Sequence, residues 1–335
     1  VANTIHANLI AKILDSALLV LREEMAMAIE VNKDFDGTAA QVGEDVMIAK
    51  PATHTTSDVA PAATPPALND KTIGSVKITV DQWKKADAFH LTTRDATRLM
   101  TRNLVPKQVQ EQARALGKTV NAALFALYKK VSGFAGAAGT NPFDTNVEPI
   151  ADLDGQLNIQ LCPAGNRRLV VGNAERTAAL KLPAYIEAQK AGDTKAFRKG
   201  DLGELMGFSP IRHDSQRPSH TAGTGAAYLV NNGAGYAVGD TAITVDTGNG
   251  TILDGDIVSF AGHDDTYAVK SFAANVVTLY KGLTTAVADN EAITLKATHK
   301  VNLGFDPGAF GLVMRTPPSE VEGMPTLGES MSMVD

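Results

Sequence analysis

Histidine, cysteine and carboxylate side chains are the residues that could do chemistry, and in this chain they lie far apart. Its 335 residues include seven histidines, His6, His54, His90, His213, His220, His263 and His299. No two stand at the i,i+4 spacing that puts a pair of imidazoles on one helix face for a metal. The single cysteine, Cys162, supplies neither a disulfide framework nor a thiolate set. It reads as a small core residue, compatible with a reducing cytoplasm. His263-Asp264-Asp265 is the best metal-like run, but it follows Gly262 between two strand patterns, where a solvated hairpin turn uses the same residue types. Gly223-Thr224-Gly225-Ala226-Ala227 and Asn231-Asn232-Gly233-Ala234-Gly235 have the composition of phosphate loops. Neither follows a buried strand and opens a helix, as a dinucleotide fingerprint must. The chain carries no Gly-x-Ser-x-Gly elbow and no complete Gly-x-x-x-x-Gly-Lys-Ser/Thr loop. Arg167-Arg168 could hold an anion or serve as a structural pair at a strand start. The expectation is a protein without catalytic residues, cofactor or metal.

Composition narrows the classes further. Hydrophobic residues make up 44% and charged residues 20% of the chain, so a real core can form. A net charge of −6 argues against a concentrated basic face for gripping nucleic acid, because phosphate affinity comes from Lys and Arg. An acidic chain can still enclose DNA without sequence-specific binding. No run of about 18 apolar residues exists, so no membrane span is expected. The most apolar stretch near the start, residues 17–21, runs into Arg22-Glu23-Glu24, the reverse of signal-peptide order. No signal is therefore expected, and Val1 is read as following a removed initiator Met.

The elements come next. Leu9, Ile13, Ala17, Val20 and Leu21 recur at helical spacing, predicting a helical arm over residues 5–30. Val46-Met47-Ile48-Ala49-Lys50-Pro51 reads as a strand ended by proline, with Val76-Lys77-Ile78-Thr79-Val80 as its partner. Between them, residues 51–70 are rich in Pro, Ala and Thr and bury little, so they should be extended and exposed. From Val46 to the middle of that stretch is about 17 residues, an upper reach of about 55 Å at strand rise. It is either a floppy surface loop or an arm laid on a neighbouring subunit. Thr92-Thr93-Arg94-Asp95 opens a short helix through Met100. Over residues 104–131, Val105, Val109, Ala113, Leu116, Val120, Leu124, Leu127 and Val131 form one apolar stripe, a helix about 40 Å long. A helix over 150–160, a strand over 167–171, a helix over 174–182 and a Gly-punctuated hairpin over 200–208 feeding a strand at 209–213 follow. From residue 221 to 298 helical periodicity is absent. Strands at 242–245, 256–261, 266–270, 276–280 and 292–296, punctuated by Gly, Asn and Asp, predict a small antiparallel barrel or sandwich. Residues 301–314 turn apolar again, so this β module is an insertion into an α+β domain that resumes after it.

This order of elements resembles the major capsid proteins of tailed bacteriophages, a fold shared with encapsulins, and more narrowly the podovirus-type coat protein with an inserted β-barrel. Residues 46–80 are similar to the extended E-loop and 104–131 to the spine helix of the peripheral domain. Cys162-Pro163-Ala164-Gly165-Asn166-Arg167-Arg168-Leu169-Val170-Val171 resembles the strand-opening segment of the axial domain, and 200–208 the hairpin before the insertion. Within the insertion, Leu253-Asp254-Gly255-Asp256-Ile257-Val258-Ser259-Phe260-Ala261-Gly262 is the nearest local match. Residues 303–315 resemble the final core strand.

The resemblance implies an α+β tailed-phage capsid fold divided into an N-terminal arm (1–36), an E-loop with flanking strands (37–88), a peripheral domain with the spine helix (89–145), an axial domain (146–220), the inserted β-barrel (221–298) and a return to the core with a C-terminal tail (299–335). It implies a shell of pentamers and hexamers of this chain, with a scaffolding protein and a portal as partners. The shell would enclose double-stranded DNA, be assembled in the host cytoplasm and form part of the virion. Self-assembly contacts are expected at Leu9 and Ile13 on the arm and at Lys50, His54, Asp58, Asp70 and Lys71 on the loop. No Lys and Asn pair for covalent crosslinking stands out, so the shell is expected to be non-covalent. An encapsulin-like compartment and a β-rich tail or adhesion module are the alternatives.

Overall fold

The computed structural model describes residues 26–33, 45–50, 54, 56, 58, 61, 72–80, 84, 86, 87, 92, 94, 107–187, 199, 200, 202–314, 320, 321, 324 and 325. The chain forms two compact units, Val1–Val31 with Ala86–Phe310, and Asn32–Lys85 with Gly311–Asp335. The expected helix of residues 92–100 and residues 5–25 of the arm lie almost wholly outside the described residues.

In the first unit, helix α1 (Ala26–Glu30) lies against α2 (Lys107–Ala126) and β3 (Arg167–Val171). The apolar period predicts one helix to residue 131. The last turn instead tightens into a 3-10 helix, Leu127–Lys130, and the chain leaves at Val131 in extended conformation. The buried face of α2 also differs from the predicted stripe. Leu116 and Val120 are half-buried, while Ala113, Gly117, Asn121, Leu124 and Phe125 are buried. Asn121 sits at its centre because every polar group it carries is matched. Its Oδ1 accepts from the Met27 N–H at 3.2 Å, and its Nδ2 donates to Asp214 Oδ2 at 2.6 Å and Gln216 Oε1 at 3.2 Å. A buried amide satisfied in this way costs little, whereas an unsatisfied one costs about 1–3 kcal/mol.

Helix α3 (Glu148–Ile159), with Pro149 in its first turn, precedes β3. Helices α4 (Asn173–Ala179) and α5 (Pro183–Ile186) follow it. β3 is the central strand of a three-stranded sheet. β4 (Phe208–His213) pairs with it in parallel and β13 (Leu303–Phe305) antiparallel. Leu169 and Val171 turn into a cluster with Phe143, Ile150, Ala179, Leu182, Tyr185, Leu202 and Phe208. Gly304 lets β13 approach α3 closely, since a Cβ there would stand 2.6 Å from the Leu153 side chain.

Between β4 and β13 the chain leaves and returns through a stalk of two short antiparallel strands, β5 (Ser219–His220) and β12 (His299–Lys300), with His220 opposite His299. Beyond the stalk lies a closed six-stranded barrel of β6 (Tyr228–Val230), β7 (Ala242–Asp246), β8 (Ile257–Phe260), β9 (Tyr267–Ala273), β10 (Val276–Leu279) and β11 (Ala292–Leu295). Its order around the wall is β10-β7-β6-β11-β8-β9. Strand alternation sends Val230, Ile243, Val245, Val258, Phe260, Tyr267, Val269, Val277 and Ile293 into its own core. Closure leaves no unpaired edge. Of the barrel's strands, β6 had no sequence expectation, because three residues between glycine-rich turns carry too short a period.

In the second unit, β1 (Asp45–Lys50) pairs antiparallel with β2 (Gly74–Thr79), in register from Asp45 opposite Thr79 to Lys50 opposite Gly74. Lys77 Nζ lies 2.6 Å from Asp45 Oδ2, and the Thr79 hydroxyl donates to Asp45 at 2.7 Å. Asn32 bridges to Gly311, and β14 (Glu320–Val321) pairs with β15 (Met324–Pro325).

Candidate assembly surfaces and the barrel seam

The residues with chemical potential turn out to be occupied in structure. Arg167 is 1% exposed. Its guanidinium and Nε donate to the carbonyls of Pro163 (3.0 Å) and Cys162 (2.6 Å), to Asn158 Oδ1 (2.7 Å) and to Asp154. It thereby ties the loop after α3 to the Asp154 and Asn158 side chains of that helix. Arg168 pairs with Glu30 at 3.5 Å and donates to the Ser209 carbonyl at 2.9 Å; Arg212 reaches Glu30 at 2.9 Å. Of the two readings of Arg167-Arg168, the structural pair is the one these contacts support.

His263, Asp264 and Asp265 go to different partners. The His263 ring packs on Phe260 and Tyr267, with Nε2 3.5 Å from Glu291. The Asp264 carbonyl accepts from Gln156, and Asp265 accepts from Gln160, Lys281 and Thr284. Among the described residues no three His, Cys, Asp or Glu side chains converge as a metal would need. The first glycine-rich run closes on a carboxylate: the Gly223 N–H donates to both Asp256 oxygens at 3.1–3.2 Å, a cradle occupied by negative charge where phosphate would need the amides free. The second is a turn held by Asn232, whose Oδ1 accepts from the Ala234 N–H and whose Nδ2 donates to the Gly235 carbonyl.

These same groups build a seam between the barrel and the α+β core that the sequence did not signal. Lys129 Nζ reaches Asp254 at 3.1 Å, where the Tyr280 hydroxyl also donates at 2.9 Å. Burial opposes ionisation of Asp254, but these two hydrogen bonds outweigh it and hold the carboxyl below its usual range. The Tyr280 phenol is raised, by its burial and by that carboxylate. Gln160 donates to Asp265 at 3.1 Å and accepts from Lys281 at 3.0 Å, and the Thr266 hydroxyl donates to the Ser132 carbonyl at 2.6 Å. Beside the stalk an open groove of about 660 Å³ is lined by Tyr128, Phe134, Asn141, Pro149, Leu153 and His299 among others.

The expected self-assembly residues fall as follows. Lys50 ends β1 and is exposed, and His54 and Asp58 are exposed. Leu9, Ile13, Asp70 and Lys71 lie outside the described residues. The described end of the arm is not free: Met27 (0% exposed), Ala28 and Glu30 are buried within the first unit. This departs from the expectation of an arm stabilised by other copies. Glu30 is drawn inward by Arg168 and Arg212, a pairing between residues more than 130 positions apart that no local pattern signals.

Two apolar displays had no expectation. On β1–β2, Val46 is buried, whereas Val76 on the same face is 52% exposed and Met47 on the other face is 60% exposed. Leu161, directly after α3, is 90% exposed at φ +58°. A bulky side chain rarely adopts that conformation, and it persists only where the surroundings impose it. The helix end does so here: the Leu161 N–H donates to the Asn158 carbonyl and the Cys162 N–H to the Leu157 carbonyl, both at 2.9 Å.

No protein-family model matches the chain. No curated protein matches its sequence. Three solved structures are similar to it over most of its length. One is described as Mycobacterium phage Che8, with 16% identity and a TM-score of 0.48, covering 85% of this chain and 88% of that one. The second is the virus-like particle from Pyrococcus furiosus, with 12% identity and a TM-score of 0.37, covering 88% and 98%. The third is the capsid structure of the cyanophage P-SCSP1u, with 14% identity and a TM-score of 0.37, covering 85% of each chain. All three scores lie below 0.5, so none of them fixes the fold of this chain.

Proposed function

We propose that this chain is the major capsid protein of a tailed bacteriophage, a subunit that assembles with copies of itself into a closed icosahedral shell around the genome. The observation that carries the reading is the β1–β2 hairpin. It stands at the base of a 23-residue excursion, with Val76, Met47 and Ile73 exposed at 52%, 60% and 68%. A two-stranded hairpin is marginal in water by itself, and apolar residues displayed along one are stabilised by burial against another surface. Copies of the same chain supply that surface in a shell, where many modest contacts add to a stable whole. The exposed Leu161 and the separately cored, closed barrel fit the same use. The narrower assignment, a podovirus-type subunit with an inserted barrel, draws its support from the stalk, which carries the barrel out of a sheet that β13 then rejoins.

In this reading the protein turns over no substrate. Scaffolding protein and portal are its assembly partners, and the enclosed DNA is held without sequence recognition. Negative-stain electron microscopy of the expressed chain, alone and with a scaffolding protein, tests this directly. Closed spheres are the expected product. Tubes or fibres would replace the reading with a tail or adhesion module, and monomers under every condition would overturn it. Spheres that copurify with an enzyme cargo would favour an encapsulin-like compartment.

A further inference from the structure

The stalk that carries the barrel has two residue pairs, and one of them sets histidine against histidine. His220 and His299 face each other across β5–β12, their ring centroids 5.4 Å apart. Both nitrogens of His220 are engaged: Nδ1 lies 2.9 Å from the Tyr128 hydroxyl and Nε2 lies 2.8 Å from Asp256 Oδ1. Its side chain is 4% exposed. His299 is half-buried. Its Nδ1 donates to the Ala297 carbonyl at 2.8 Å, and its ring meets Phe134 edge-on at 5.0 Å.

The two imidazoles differ in what they can do with a proton. His220 has both ring nitrogens taken, by the Asp256 carboxylate and by the Tyr128 hydroxyl. No carboxylate among the described residues pairs with His299. The nearest, Asp256, is taken by His220 and by the amides of Gly223 and Leu253. The other charged or titratable groups around His299 are His220 on the facing strand, Lys300 next in its own strand, and Tyr128 and Lys129 on the 3-10 helix, where Lys129 is paired with Asp254. From the barrel side, the Lys296 ammonium sits over the same Phe134 ring, 5.8 Å from its centroid. A positive His299 would be half-desolvated, and burial first, then His220 beside it, holds its imidazole below the usual range against the Ala297 carbonyl and Asp256, which favour the proton.

We propose that the His220–His299 pair is a proton-operated latch: protonation drives His299 out of its contacts with His220 and Phe134 and opens the stalk while the barrel stays folded. The remaining attachment is the seam of Lys129–Asp254, Gln160–Asp265–Lys281 and Ser132–Thr266. With Gln156–Asp264 and the buried Ser132, Asp265 and Thr266 this seam keeps the barrel near the core, so what opens is the stalk. The sign follows from the neutral form being the one that fits. The latch is fully closed above the ordinary histidine range, about pH 6.5, and opens as pH falls below it.

Hydrogen exchange with mass readout on the full-length unassembled chain, at pH 7.5 and 5.5 and corrected for intrinsic exchange, tests the latch independently of any shell. Peptides across residues 216–223 and 296–303 should open roughly three- to tenfold more at the acid pH, with β7 and β8 unchanged. Both His299→Phe and His299→Gln should abolish that response at the stalk. A stalk indifferent to pH would overturn the latch. So would a response that survives both substitutions, or barrel strands that open together with the stalk.

Discussion

Arg167 shows what a charged side chain does in this protein when it is not used for chemistry. With 1% of its surface exposed, it joins α3, the loop after it and the start of β3. Replacing it by Met keeps the volume but removes, in a part-buried site, its hydrogen bonds to the Cys162 and Pro163 carbonyls and to Asn158 and its ion pair with Asp154. Arg167→Met should therefore lower unfolding stability by about 3 kcal/mol, read from the urea midpoint at unchanged slope. A shift within about 0.5 kcal/mol would mean that water takes over those carbonyls. Asn121 teaches the same lesson. By type it belongs on a surface, yet it lies at the centre of the buried face of α2 because three partners from distant segments meet it.

At the scale of elements, the excursion between β1 and β2 and the barrel should be separable from the folding of the α+β core. The core cluster around Leu169 and Phe208 is built by residues between Phe143 and Ile211. Deleting those residues should leave a cooperatively folded chain that fails to form shells, seen as monomer in sedimentation velocity and as empty fields by electron microscopy. Normal shells from the deletion would remove the bridging role. The barrel has its own apolar centre and no open edge, so residues 221–298 expressed alone should give the dispersed amide spectrum of a folded domain. A collapsed spectrum would mean that the seam to α3 and the 3-10 helix is needed for folding.

For the whole molecule, the proposed assembly by burial of displayed apolar side chains would need no bond between copies. Shells boiled in denaturant should run on a gel as single chains of 35.2 kDa; a ladder of higher bands would show a covalent shell. How far this architecture is legible without coordinates depends on the range of each interaction. The alternation in Ala242-Ile243-Thr244-Val245 and in Val276-Val277-Thr278-Leu279 marks strands that form where expected. The spine period marks a helix that does form, though it ends one turn early and buries a face turned toward Gly117, Asn121 and Phe125.

By itself, then, the sequence determined what is set within a few residues: five of the barrel's six strands and most of the long helix. Periodicity and turn chemistry act through neighbours in the chain, so they can be read there. Only the tertiary structure decided which surfaces those elements meet. The parallel pairing of Phe208–His213 with Arg167–Val171, the closure of six strands, the opposition of His220 and His299, and the burial of Glu30 by Arg168 and Arg212 all join residues about 40 to 180 positions apart. Such contacts follow from the burial and polar matching of whole faces, which local pattern does not encode.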